Sequence, residues 1–161
     1  LLMGGRLEQI GTPEEIYARP ANLRVARFLL MRNLFEARPI EVRDGRLICG
    51  AAGVRFAVAL PPDPEQKVHY LGFPPSEAEI VRVNGTVPPE YADNLFEGRV
   101  VELVNLGHRK SVRLRLDAPG EALVECAVPP KALRALSLRE GDRVRVHVPP
   151  EAIVCLSDPS A

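Results

Sequence analysis

The sequence predicts a mainly β fold in which two related units follow two short helices. Three observations predict it. From Asn33 onward apolar residues recur at period two, as in Val54, Phe56, Val58 and Leu60 with Arg55, Ala57 and Ala59 between them, the pattern of half-buried strands. Sixteen prolines, most of them paired between apolar segments, punctuate the chain into short strands. Finally, Asn33-Leu34-Phe35-Glu36-Ala37-Arg38 returns as Asn94-Leu95-Phe96-Glu97-Gly98-Arg99, an internal repeat.

The first 32 residues follow helical spacing instead. Thr12, Pro13 and Glu15 spell a capping box, in which the hydroxyl accepts from the third helical amide, proline fits the first helical position and the glutamate reaches back. A helix therefore starts at Pro13 and stops near Ala18, because Pro20 disfavours helical geometry at Arg19. Asn22 then caps a second helix whose apolar face is Val25, Phe28 and Leu29.

Further along, Val112, Leu114 and Leu116 alternate with Arg113 and Arg115, while Val144, Val146 and Val148 alternate with Arg143, Arg145 and His147. Each of these strands has one apolar and one basic face. Asp44-Gly45 and Gly141-Asp142 supply turn chemistry, and residues 130–136 read as a short helical insertion.

The repeated segments also finish alike, since Pro74-Pro75-Ser76-Glu77-Ala78-Glu79-Ile80-Val81 is echoed by Pro149-Pro150-Glu151-Ala152-Ile153-Val154. The units are expected at 33–83 and 94–157, joined by a linker at 84–93 that contains Gly85 and Pro88-Pro89. Units of about 60 residues with some five short strands suit an OB-type barrel. A core that small is marginal by itself, so the units are expected to pack on each other or on a second chain.

Composition narrows the function. The 161 residues hold 21 Lys plus Arg and 21 Asp plus Glu, so no overall field draws the chain to nucleic acid or an anionic membrane. An OB barrel that binds single strands also needs base-stacking aromatics, and tryptophan is absent here. No apolar run approaches the roughly 20 residues of a membrane span, and no signal peptide opens the sequence, which reads as soluble and not secreted. Cys49, Cys126 and Cys155 are odd in number and sit in apolar runs, so they are expected to be reduced core residues. His69, His108 and His147 have no metal-ligand spacing, and no nucleophile motif or phosphate-cradling loop with its lysine occurs. The candidate ligand residues are the arginines of the basic strand faces: Arg109, Arg113 and Arg115 on one, Arg143 and Arg145, beside His147, on the other. Guanidinium forks suit a tetrahedral oxyanion. The alternative is a solvated face partly paired with Glu102, Glu121 or Glu125.

The opening segment carries a resemblance. Gly5-Arg6-Leu7-Glu8-Gln9-Ile10-Gly11-Thr12-Pro13-Glu14-Glu15-Ile16-Tyr17, then Arg19-Pro20-Ala21-Asn22 and Val25-Ala26-Arg27-Phe28-Leu29, resembles the end of the nucleotide-binding domain in bacterial ABC importer ATPases that serve sugars, spermidine, ferric iron, sulfate and molybdate. In that family the segment leads into a regulatory extension of TOBE domains, which are OB-like barrels. Asn-Leu-Phe-Glu-Gly at 94–98 and Leu136-Ser137-Leu138-Arg139-Glu140-Gly141-Asp142 resemble TOBE repeats, and 125–138 looks most like the molybdate-type version. Two positions depart from it. The lysine usual near 148–150 is replaced by Pro149-Pro150, and Gly-x-Arg-Pro-Glu reads Gly72-Phe73-Pro74-Pro75-Ser76.

The resemblance implies that residues 1–32 are the helical tail of an ATPase domain whose remainder, with its ATP and Mg²⁺, lies outside this sequence. It implies a non-catalytic regulatory and dimerisation module of tandem OB-like (TOBE) barrels, in the cytoplasm and peripheral to the inner membrane. The expected partners are a second copy, the ATPase domain and, through it, the transporter's membrane subunits, with no nucleic acid. The alternative is a sensor that binds molybdate, tungstate or sulfate at the barrel interface. No cofactor is expected in this fragment.

Overall fold

The computed structural model describes residues 1–61, 63, 65–105 and 110–158. A two-stranded hairpin, β1 (Leu2–Met3) and β2 (Arg6–Leu7), precedes helices α1 (Pro13–Ala18) and α2 (Leu23–Phe28). Both helix starts follow their caps. The Glu15 amide donates to the Thr12 hydroxyl at 3.2 Å while the Thr12 amide donates to the Glu15 carboxylate at 2.8 Å, and the Val25 amide donates to the Asn22 side chain at 3.0 Å. The face of α2 differs from expectation. Val25 is buried but Phe28 is 57% exposed, because Leu23 and Ala26 turn inward and Phe28 falls outside the arc they define with Val25. What holds that arc is the far end of the chain: Ala26 and Met31 pack on Leu156, and the Leu23 amide donates to the Ser157 carbonyl.

The remaining strands are β3 (Asn33–Arg43), β4 (Arg46–Ala51), β5 (Val54–Ala59), β6 (Tyr70–Phe73), β7 (Glu79–Arg82), β8 (Leu95–Asn105), β9 (Lys110–Leu116), β10 (Leu123–Val128), β11 (Arg143–His147) and β12 (Val154–Leu156). Helix α3 (Pro130–Leu136) lies where the helical insertion was expected, and 3-10 turns at Pro75–Glu77 and Pro150–Ala152 precede β7 and β12. Asp44 and Gly45 both take positive φ in the turn between β3 and β4.

Among the described residues these strands form two five-stranded antiparallel sheets, ordered β12-β6-β3-β4-β5 and β7-β11-β8-β9-β10. The plan is the same in both, and the outermost strand is exchanged. β7, from the first half of the chain, pairs with β11; β12, at the end of the second half, pairs with β6. The likeness extends to irregularities, since β3 is bulged between Pro39 and Glu41 and β8 between Val100 and Glu102, the same point of the repeat.

The repeated asparagines explain why the motif recurs. Asn33 is buried, and its side-chain amide pairs with both backbone groups of Glu125 on β10, at 2.8 Å each. Asn94 is buried likewise, takes from the Ala57 amide and gives to its carbonyl on β5 at 2.7 Å each, and also donates to the Val148 carbonyl at 3.0 Å. Each asparagine imitates a neighbouring strand at an outer strand of the other sheet, where backbone groups would otherwise lack partners. This contact also buries Ala57, which alternation placed on the outer face, while Leu60, expected inside, lies past the end of β5 and is 48% exposed. One continuous apolar cluster joins the sheets, drawing Phe56, Phe73 and Leu71 from one and Leu114, Val100 and Val146 from the other. The packing between units anticipated from their small size is therefore a shared core.

The arginine faces as a candidate functional site

The register fixes what the predicted arginines can reach. Arg113 faces Glu102 across β8 and β9, and its Nη1 donates to that carboxylate at 2.8 Å. Arg143 donates from Nη2 to Glu97 at 3.0 Å and to Asp117 at 3.4 Å. Both pairs are about half exposed and contribute about 0–1 kcal/mol each. Arg145 does something different. Its Nη2 donates to the carbonyls of Arg82 at 2.8 Å and Gly85 at 2.7 Å, fastening the start of the segment between the repeats, while its buried Nε has no partner. Arg82 in turn donates to the Ala135 and Leu136 carbonyls at the end of α3. Arg115 stays exposed beside Arg99, which also faces Arg143, so three arginines lie in one register row. Arg109 and His108 lie outside the described residues. The sheet thus brings Arg113, Arg115 and Arg143 onto one face without aiming them at a common point. Of the carboxylates expected to pair with them, Glu102 does so with Arg113, while Arg143 pairs with Glu97 and Asp117 instead.

His147 departs from the solvated face assigned to it. It is buried, its ring stacks on Tyr91 with centroids 3.8 Å apart and planes 6° from parallel, and Nε2 has no hydrogen-bond partner. Burial pushes its pKa below the ordinary value, opposed by the charges of Glu79, Asp93, Glu151 and Glu90. Tyr91 donates to Glu79, which faces His147 from β7, and this bond, with burial, raises the phenol to about 12. Arg46 ties Asp93 and Glu151 together at 3.4 and 3.0 Å. Burial also holds the thiols protonated, with Cys49 at about 11 and Cys126 and Cys155 at about 12.

Sequence reasoning missed a second group. Two adjoining clefts, of about 360 and 190 Å³, share Arg32, Ser111 and Glu125 and add Lys110 to one and Arg113 with Glu102 to the other. The available signal was position: Arg32 immediately precedes the repeated asparagine motif, which anchors it beside β10.

Comparison with known proteins identifies the second half of the chain. Residues 78–156 match the TOBE domain family. The chain belongs with the C-terminal TOBE regions of ABC importer ATP-binding subunits. It is 35% identical over 120 residues to the spermidine/putrescine import ATP-binding protein PotA of Oleidesulfovibrio alaskensis, covering 73% of this chain and 31% of that protein. Its likeness to PotA of Legionella pneumophila is 29% over 71% of this chain and 31% of the relative. The Fe(3+) ions import ATP-binding protein FbpC 2 of Rhizobium meliloti is 28% identical over 93% of this chain and 38% of its own length. The chain thus spans about a third of the length of these curated relatives. Among solved structures, the cytoplasmic molybdate-binding protein ModG, with molybdate bound, shares the fold at a TM-score of 0.67 and 12% identity, over 78% of this chain and 96% of that one.

Among the described residues no helix is long and apolar enough to cross a membrane. No group of three or more His, Cys, Asp or Glu among them is arranged to hold a metal.

Proposed function

We propose that this chain is a regulatory and dimerisation module of an ABC importer ATPase and carries no catalysis of its own. The units are tandem OB-like barrels, and the first 32 residues close the ATPase domain. The observation that supports this reading best is the fate of the arginines. Arg113, Arg143 and Arg145 are spent on carboxylates and backbone carbonyls within the second sheet, so they stabilise a platform and leave little for a ligand. Apolar residues remain for contacts beyond the chain: Leu2, Leu7, Ile10 and Leu30 in the opening segment, and Val42 and Leu123 on the sheets. In this reading the opening segment meets the ATPase domain and the sheets meet a second copy. The assembly sits in the cytoplasm against the inner membrane through the transporter subunits. Regulation then requires an effector, or the ATPase cycle, to favour one arrangement of the paired modules over another.

A second reading is favoured by one feature, the adjoining clefts. Arg32 and Lys110 stand there beside the buried Ser111, a set able to hold an oxyanion, and the ModG likeness lends it a precedent of fold. Against it, Glu102 and Glu125 line the same clefts and Arg113 is already paired. Thermal unfolding with molybdate, tungstate, sulfate and phosphate at matched ionic strength separates the readings. A ligand bound only by the folded chain adds about 2.7 kcal/mol at a hundredfold excess over Kd. The assembly reading expects no selective shift. A shift for one oxyanion that Arg32→Ala removes overturns it in favour of a sensor.

A further inference from the structure

The two sheets share a plan, and at one place they differ in a way that makes a site. In the second sheet the register row runs Arg143, Arg99, Arg115, Leu123. In the first, Arg38 occupies the position of Arg99, Gly50 that of Arg115 and Arg55 that of Leu123. Two arginines therefore flank a glycine on adjacent strands, each about 4.8 Å from it across the sheet. The missing side chain lets Arg38 lean over β4: its Nε lies 3.7 Å from where a Gly50 Cβ would stand, on the way to Arg55. The φ of Gly50 is not positive, so what this position uses is its lack of a side chain.

Neither Arg38 nor Arg55 makes a hydrogen bond or ion pair with the described residues, unlike the engaged arginines of the second sheet. Both line the same groove with no salt bridge among the described residues, and guanidinium groups left free in this way suit an oxyanion. The groove is open, about 870 Å³ in volume, and its apolar wall includes Ile40, 45% exposed on the bulge of β3, with Val54 and Phe96. Phe96 is held in place by its edge-to-face contact with Phe56 at 4.8 Å. Glu36 also lines the groove, and its carboxylate accepts from the Tyr70 hydroxyl at 3.4 Å.

We propose that Arg38, Gly50 and Arg55 form a binding site for an organic anion, a carboxylate or phosphate ester whose charged head lies between the guanidiniums and whose apolar body rests on Ile40, Val54 and Phe96. The site lies on the first sheet, apart from the arginines of the second and from the Arg32 clefts. It adds a ligand class to the module whether or not the module dimerises. A ligand of this kind bridges β3, β4 and β5, and Phe96 carries its contact to the second sheet.

The test is calorimetric titration of the 161-residue chain with phenyl phosphate and, separately, inorganic phosphate. Phenyl phosphate is expected to bind more tightly than inorganic phosphate, since only it reaches the apolar wall. Arg38→Ala and Arg55→Ala should each weaken it by about tenfold, in line with loss of one charged hydrogen-bonding group. Gly50→Arg, which copies the second sheet, should abolish binding by filling the groove, while Arg113→Ala should leave it unchanged. Thermal unfolding confirms that each variant folds, and if Gly50→Arg does not, the two alanine variants decide. Absence of phenyl phosphate binding, equal binding of inorganic phosphate, or binding unaffected by both alanine substitutions overturns the proposal.

Discussion

On the second sheet Arg113, Arg143 and Arg145 each reach a carboxylate or a backbone carbonyl, whereas on the first sheet Arg38 and Arg55 reach no described group. The strands that carry them follow one order and one pattern of register, down to a bulge at the same repeat position. What differs is the complement of small and acidic residues between the arginines. Glu97, Glu102 and Asp117 pair with Arg113 and Arg143 on the second face, while Gly50 clears space on the first. A duplicated framework can thus serve as scaffold in one copy and offer a surface in the other, with strand order and register preserved.

The largest expected effect comes from the asparagine clamps, which are alike in plan and unequal in number of bonds. Asn94→Ala removes three hydrogen bonds at a buried site and also places alanine at a φ of 54°, a region asparagine tolerates better. It should cost about 4 kcal/mol in chemical denaturation, near the upper end for single substitutions. Asn33→Ala removes two bonds at an ordinary φ and should cost about 2 kcal/mol. Equal costs would break the argument that bond number and backbone geometry distinguish the two clamps.

A second comparison concerns the residues that β6 and β11 place beside the exchanged strands. Gly72 in β6 faces Leu34, as His147 in β11 faces Leu95. A side chain at Gly72 would strike Met31, with its Cβ 2.5 Å from the sulfur, whereas His147 is accommodated by stacking on Tyr91. Because burial depresses the pKa of His147, the unfolded chain takes up the proton first as pH falls. The contribution of neutral His147 is therefore complete above about pH 6.5, the ordinary histidine value, and is lost as pH drops through its lower folded value. Denaturation at pH 7.5 and 5.5 should show a loss in the native chain that is smaller in His147→Phe. An identical loss in both would assign the pH dependence to other groups.

The smallest effect belongs to the exposed pairs. Arg113→Ala should change stability by about 0.5 kcal/mol, since its partner Glu102 is as solvated as itself. A loss above about 2 kcal/mol would mean that the second face is held together by charge to a degree its exposure does not allow.

How much of this was legible in the sequence depends on how local each interaction is. Both helix starts and the turn at Asp44-Gly45 were legible because capping and positive φ are decided within four residues. The repeat was visible as letters, but its cause was not, since Asn33 and Asn94 act on Glu125 and Ala57, far away in sequence. Exchange of β7 and β12 has no local mark either: period two identifies a strand without naming its neighbour. For the same reason the arginine faces were found but their partners mostly missed. The partners of Arg143 come from β8 and the end of β9, positions that only the register brings together. His147 was misplaced because alternation puts it outside, and Tyr91, folding back from the segment between the repeats, covers it.

The central claim, that this TOBE region pairs with a second copy while its second-sheet arginines serve structure, is tested most directly by sedimentation velocity of the chain over a hundredfold range of concentration, with and without molybdate. The account expects a monomer–dimer equilibrium that shifts with protein concentration, ignores molybdate and persists in the Arg113→Ala/Arg145→Ala double variant. A chain that stays monomeric throughout, or that dimerises only when molybdate is added, would contradict it.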